Sequence, residues 1–344
     1  MSEHDARRRS QLAWGLLLLT AVLLAAGLAA GSEGWSLRDL AALLQSPDAA
    51  LIVGEIRAPR TLGAWLVGAL LGLAGAVAQG LFRNPLADPY LLGSASGASL
   101  GVVLVLAAAS LAAGQGQGQG MSMATLDALQ RVGLVGAAFA GALLGVGLTL
   151  LMGRGTQHTL RLLLAGVVVG VMLSAVGDMV TTMAPDALRG KQAFLLGSTG
   201  FLSWGSCMAL ALGLLVAAPV AWRLSRLLDA LSLGEDSARS LGVALPRVRL
   251  ALVVAMALAT GVAVSQAGLI GFVGLVAPHL VRRFAPSPHG YSLLASAGMG
   301  GCLLLLSDVL ARSVLAPVEV PVGVLTAVLG GSYLLWLLHR RGLS

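Results

Sequence analysis

Two aspartates fall inside long apolar runs of this 344-residue chain, Asp178 late in one and Asp308 late in another. A carboxylate is costly to hold charged in a bilayer, so such residues are functional candidates by default. A paired-aspartate intramembrane protease needs a GxGD motif; the residue two before Gly177 is Ala175, and the pattern fails. Asp178 reads instead as a cap on the outer mouth of a cavity, and Asp308 as a partner of Arg312, one helical turn on. Other chemistries find less. The five histidines show no HExxH spacing, and Cys207 and Cys302 form no CxxC, so no metal site is expected and the cysteines read as small core residues. Gly190 and Lys191 are followed by Gln192 and lack the upstream glycine of a P-loop. Without that phosphate cradle the chain is expected to bind no ATP and to be no enzyme.

Two further groups have a spacing that suits recognition. Arg57 and Arg60 flank Pro59 at the entrance to an apolar run, where the positive end of a helix dipole disfavours cations. Arginines so placed suit carboxylates of an external partner, or snorkel to lipid phosphates. The segment from Leu233 to Gly242 places Gly234 before Glu235 and Asp236, follows them with Ala238, Arg239 and Leu241, and ends on Gly242, the signature of a short capped helix. Too short to span anything, it is either a solvated linker or a helix offered to a partner.

The elements that must position these residues are transmembrane helices. The chain is 57% hydrophobic and 11% charged, far from the roughly one-quarter charged makeup of soluble domains. Runs near the roughly 20 residues a spanning helix needs predict ten spans, at 12–31, 61–82, 91–112, 132–152, 160–183, 203–222, 248–267, 269–283, 291–310 and 320–338. The first, behind Arg7, Arg8 and Arg9, lacks a small-residue cleavage site and is kept as a helix rather than a cleaved signal. The fold class is therefore an all-α integral membrane protein, one ten-helix domain over residues 1–344.

An inside N-terminus puts Arg7, Arg8, Arg9, Arg83, Arg154, Arg161, Arg223, Arg226, Arg239, Arg247, Arg249, Arg282, Arg283, Arg340 and Arg341 on the cytoplasmic side, fifteen of 22 basic residues. The positive-inside rule then makes both termini cytoplasmic. The net charge of +7 follows from this anchoring, and with no basic stripe interleaved with aromatics it does not point to nucleic acid. Small residues recur at i and i+4: Ala64, Gly68, Gly72, Ala76 and Gly80 in the second span, Gly93, Gly97 and Gly101 in the third, Gly166, Gly170 and Ser174 in the fifth, on the face that reaches Asp178. That spacing predicts close helix packing. The run Gly114 to Gly120, alternating Gly with Gln, reads as a low-complexity loop tip.

Several blocks in one order resemble the permeases of type II ABC importers for ferric siderophores, haem and vitamin B12. They are Arg57-Ala-Pro-Arg60, the stretch from Gln79 through Asn84-Pro-Leu-Ala-Asp-Pro89 to Gly93, the helix at Leu233 to Gly242, Gly268 to His279, and Pro321 to Gly330. The likeness covers nearly the whole chain and departs at Ser332, where many relatives place proline. It implies a homodimer, or a pseudo-dimer with a paralogue, in a bacterial inner membrane. Two cytoplasmic ATPase subunits would hold ATP and magnesium, this chain holding no cofactor, and a periplasmic binding protein would deliver the cargo. It further implies that Arg57, Arg60 and Arg312 face glutamates of the binding protein and that the helix from Glu235 to Leu241 couples to the ATPase. Asn84, Leu86, His158 and Thr159 would close the path on the cytoplasmic side, and Gly166, Gly170, Ser174 and Asp178 would line it. The main rival is a carrier driven by protons or sodium, with Asp178 as coupling group.

Overall fold

The computed structural model describes residues 3–31, 34–35, 50–114, 123–153, 159–240 and 244–341. In chain order α1 is Glu3–Ala29, α2 Ala58–Phe82, α3 Ser94–Gly114, α4 Met123–Met152, α5 Thr159–Met183, α6 Asp186–Leu196 and α7 Trp204–Arg223. Then come α8 Ser225–Ser232, α9 Glu235–Ser240, α10 Leu245–Ala267, α11 Val273–Phe284, α12 His289–Ser313 and α13 Val322–Arg341. A π-helical turn, Ile52–Arg57, leads into α2, and a 3-10 turn, Pro89–Leu92, leads into α3. The only described strands are the antiparallel two-residue pieces Ala30–Gly31 and Gly34–Trp35.

Among the described residues eight helices are long and apolar enough to cross a bilayer: α1 to α5, α7, α10 and α12. The other two expected spans are shorter. The 12 residues of α11 rise about 18 Å against a hydrocarbon core of about 30 Å, and the apolar part of α13 runs Val322–Leu337. The chain is thus an all-α, multi-pass membrane protein.

Small residues decide which helix sits in the middle. The apolar window of α2 is 89% buried, that of α1 only 22%. Gly68 and Gly72 face α12, where a Cβ on either would collide with the carbonyl oxygens of Gly300 and Ser296. Without those Cβ atoms the two backbones touch, which is how helices gain packing energy where lipid offers no hydrophobic drive. The predicted glycine face of α3 meets α4 in the same way, Gly97 against Gly141 and Gly101 against Ala137. Cys207 and Cys302 are buried free thiols, in line with their reading as core residues.

Two helices lie outside the expected elements, α6 between the fifth and sixth expected spans and α8 after the sixth. Residues 225–232, expected as linker, form α8, which buries Leu228 and Leu231 and holds Asp229 Oδ1 2.7 Å from His289 Nδ1 at the start of α12. Of the expected Gly/Gln run, only Gly114 lies within the described residues. The 25 residues of α2 rise about 37 Å, so Arg60 and Gln79, near its two ends, lie toward opposite membrane faces.

Candidate functional site

At the Arg60 face, four charged side chains from distant parts of the chain form one cluster. Asp308, fully buried in α12, accepts from Arg60 Nε at 3.1 Å, Arg312 Nη2 at 2.6 Å and Thr199 Oγ1 at 2.5 Å. Arg60 Nη1 donates outward to Glu319 Oε1 at 2.9 Å. Arg312, only 2% exposed, donates from Nη1 to the carbonyl oxygens of Gly27 and Ala30 at 3.1 Å each and from Nε to Asp308 O at 3.4 Å. The expected pairing of Asp308 with Arg312 is present. Arg57, half-buried, donates to Leu28 O at 3.3 Å. Of the three arginines singled out by sequence, Arg57 and Arg60 reach the surface and Arg312 lies beneath it.

Between the faces, the residues expected to line a path share one cavity of about 550 Å³. Gly166, Gly170, Ser174 and Asp178 recur every four residues and so fall on one face of α5. Across from them are Ser96 of α3 and the turn Asp88–Tyr90. Ser174 Oγ donates to Ser96 Oγ at 3.1 Å, and Gly166 is glycine because a Cβ there would strike Leu91 O. In the turn, the Asp88 carboxylate accepts from Tyr90 N at 2.8 Å. Burial pushes the Asp88 carboxyl above its ordinary range, partly opposed by that hydrogen bond. Asp178 is ion-paired with Lys191 of α6; the lysine is 12% exposed and the aspartate 70%. A second cavity of about 380 Å³ shares Ser96, Ser174 and Asp178 and extends to Lys191 and Leu269. The walls are mostly glycine, serine, alanine and branched aliphatics, which make few directional contacts.

The opposite face carries the short helix and the segments expected to close the path. Gly234, at φ +112°, turns the chain from α8 into α9. That backbone strains any residue with a Cβ. Glu235 is ion-paired with Arg249, a buried arginine one turn into α10, and lies 3.6 Å from Arg239 Nη2. Arg239 Nη1 also donates to Asp236 Oδ1 at 3.0 Å. Ala238 is fully buried and Asp236 almost fully exposed, so α9 is pinned on one side and open on the other. Leu241 and Gly242 of the expected helix lie outside the described residues.

Asn84 Oδ1 accepts from Leu86 N at 2.9 Å and holds the turn after α2, with Leu86 exposed. Thr159 begins α5, and His158 lies outside the described residues. Gln79 braces this end: its Nε2 donates to Leu275 O at 3.1 Å and its Oε1 accepts from Arg282. His279, which follows Pro278 in α11, packs edge-on against Tyr333 with ring centroids 5.8 Å apart.

Sequence reasoning missed Thr199, Glu319, Arg249 and Lys191. Three of them close contacts across more than 100 residues (Thr199 and Glu319) or sit in what looked like the start of a span (Arg249). Lys191 counts in the sequence as an outside cation and as a failed P-loop, and neither reading pairs it with Asp178.

Comparison with known proteins places this geometry. The model of the FecCD transport family matches residues 17–340. The hemin transport system permease protein HmuU of Yersinia pestis is 37% identical over 339 residues, 98% of each chain. The vitamin B12 import system permease protein BtuC of Escherichia coli O139:H28 is 39% identical over 339 residues, again 98% of each. A solved structure assigned to the metal-chelate type of ABC transporter, in an inward-facing conformation, superposes with a TM-score of 0.82 at 27% identity, covering 96% of this chain and 99% of that one. PsaBC from Streptococcus pneumoniae, at 16% identity and a TM-score of 0.56, shares the fold.

Proposed function

Since this chain belongs to the FecCD transport family, we propose that it is the membrane-spanning permease subunit of an ATP-driven importer for a bulky metal chelate. One observation carries the reading: the chain matches, end to end, permeases named for two chemically different chelates, haem and vitamin B12. A ferric siderophore is a third cargo of the same class. The cavity is consistent with such a range, because walls of small and aliphatic side chains offer bulk without a fixed set of partners. Selectivity on this reading belongs to an external binding protein.

The mechanism is alternating access. A loaded periplasmic binding protein docks its acidic side chains on Arg57 and Arg60, with Arg312 beneath them holding Asp308 and thereby the aim of Arg60. Two cytoplasmic ATPase subunits, which carry ATP and magnesium, grip α9 through its open side at Asp236 and Arg239. Motion of α9 passes into α10 through the Glu235 and Arg249 pair. The cargo moves along Gly166, Gly170, Ser174 and Asp178, and the segment of Asn84 and Leu86 with that of His158 and Thr159 closes the inner end.

The full reading has ten spans in one domain, α11 and α13 included, with both termini cytoplasmic. It also has a second copy of the chain packed on the α5 face, where Val167, Val171 and Met179 are exposed in the single chain. No bound cofactor or metal belongs to this subunit. A carrier using Asp178 as an ion-coupling group draws little support from a carboxylate that is 70% exposed and already paired.

The deciding experiment is affinity purification in mild detergent followed by reconstitution. An ATPase subunit should co-purify, and chelate uptake into proteoliposomes should require it together with ATP. Uptake driven by an ion gradient with this polypeptide alone would refute the reading.

A further inference from the structure

We infer that Glu319 occupies, in the undocked protein, the position that an acidic side chain of the external partner takes on docking. Docking is then an exchange of carboxylates on Arg60, and the exchange frees the segment that leads into α13. This inference rests on the docking role given to Arg60 above and adds how that docking works.

The charge count of the cluster favours an exchange. Arg60 and Arg312 carry two positive charges, Asp308 and Glu319 two negative ones, and all four are joined in one cluster. Among the described residues these four charges cancel, so a carboxylate approaching Arg60 competes with the acid already paired to it. Asp308 cannot leave. It is fully buried and also held by Arg312 and Thr199, so vacating it would strand a buried guanidinium. Glu319 can. Its carboxylate is 38% exposed, and the ion pair recorded for it is the one to Arg60 Nη1. Pairs with a well-solvated member are held weakly, and the arginine fork presents its outward edge to whichever carboxylate occupies it.

The surroundings fit a protein partner rather than a small anion. Phe201 is 77% exposed, next to Gly200, where a Cβ would lie 3.8 Å from Arg60 Nη1 and 3.9 Å from Glu319 Oε2. Val314, Leu315 and Val318, on the connection that carries Glu319, are exposed as well. Apolar side chains around a central charge form the pattern in which a partner's carboxylate is desolvated as it binds.

The consequence reaches the bundle because Glu319 is three residues from α13. Val320 N donates to Ala311 O at 3.1 Å, Pro321 follows with a fixed φ, and α13 begins at Val322. Release of Glu319 therefore loosens the start of a helix rather than a free loop.

The test uses the complete importer in nanodiscs with its own periplasmic binding protein, comparing wild type, Glu319→Gln and Arg60→Gln. Glu319→Gln keeps the side-chain shape and removes the competing charge. It should tighten the Kd for the binding protein about two- to fivefold at low ionic strength, the scale of a weak ion pair. Without any partner, it should also raise amide exchange over residues 319–326 toward the level wild type reaches only when docked. Arg60→Gln should weaken binding. If Arg60→Gln weakens binding while Glu319→Gln leaves Kd and exchange unchanged, docking stands and the exchange is wrong. If Arg60→Gln leaves Kd unchanged, the docking role fails and the exchange fails with it.

Discussion

Asp308→Asn is the substitution on which the arrangement of the arginine face is most exposed to test. The native carboxylate is fully buried and accepts from two guanidinium groups and one hydroxyl, at 3.1, 2.6 and 2.5 Å. Asparagine keeps the shape but removes the charge and replaces one acceptor oxygen with an amide that donates. Whichever way the amide turns, it points a donor at Arg60 or at Arg312. Because Arg312 is 2% exposed, its charge is left without compensation, and breaking a buried pair from one side costs about 3–5 kcal/mol.

The contribution of Arg312 can be isolated by repeating the change in an Arg312→Leu background. There the remaining cation is Arg60, partly in contact with solvent and still paired with Glu319, so Asp308→Asn should cost only roughly 1–2 kcal/mol, the range of an unmade hydrogen bond. The difference is a coupling energy of a few kcal/mol, read from reversible SDS unfolding in mixed micelles by tryptophan fluorescence. A cost under about 1 kcal/mol in the wild-type background, the range of exposed surface pairs, would refute the claim that this charge is buried and compensated, as would strict additivity of the two changes.

Three other expectations follow from the same geometry. Gly97→Val should separate α3 from α4, because the added side chain meets the Gly141 carbonyl; overpacking of this kind costs about 1–3 kcal/mol, and unchanged detergent thermostability would contradict it. Glu235→Gln should leave the buried Arg249 without its carboxylate and loosen α9, so that ATP hydrolysis by the assembled importer continues while cargo uptake falls at least tenfold; full uptake would remove α9 from the coupling path. Asp178→Asn should leave ATP-dependent uptake within about twofold, since an ion pair with a 70% exposed partner contributes little. Loss of uptake there, restored by an imposed ion gradient, would revive the ion-coupled carrier.

The elements were more legible in the sequence than the contacts between them. Hydropathy alone marks the eight long helices, and the i, i+4 glycines mark the faces of α2 and α3 that meet α12 and α4, because in lipid a close backbone approach demands small residues wherever it occurs. The shared face of Gly166, Gly170 and Ser174 on α5 was legible for the same reason. The arginine cluster was only half legible. The pair of Asp308 and Arg312 is four residues apart and periodicity finds it, whereas Arg60 and Glu319 are joined across 259 positions and no local pattern records them. The helix α8 was hidden because its eight residues are too few to set up a convincing period, although its apolar side is buried against α2, α7, α9 and α12. The short α11 reads as a span in hydropathy because its residues are apolar, and its 12 residues pack beside α2 at Gly274 and Leu275.

The distribution of charge along the chain explains how one bundle can be firm at its ends and permissive in its middle. Buried ions resist displacement because removing one partner strands the other, and both faces carry such an arrangement: Asp308 with its two arginines on one, Glu235 with Arg249 on the other. The α5 cavity between them is lined by the Asp88 turn, by Asp178, which pairs with Lys191 and is 70% exposed in the single chain, and otherwise by small and aliphatic side chains. On the proposed function, free energy is therefore concentrated at the two faces given to partners and kept lower along the path given to cargo. A chelate that met a buried unpaired charge on its way would be held there, and a conduit works only if each site it offers is weak enough to leave.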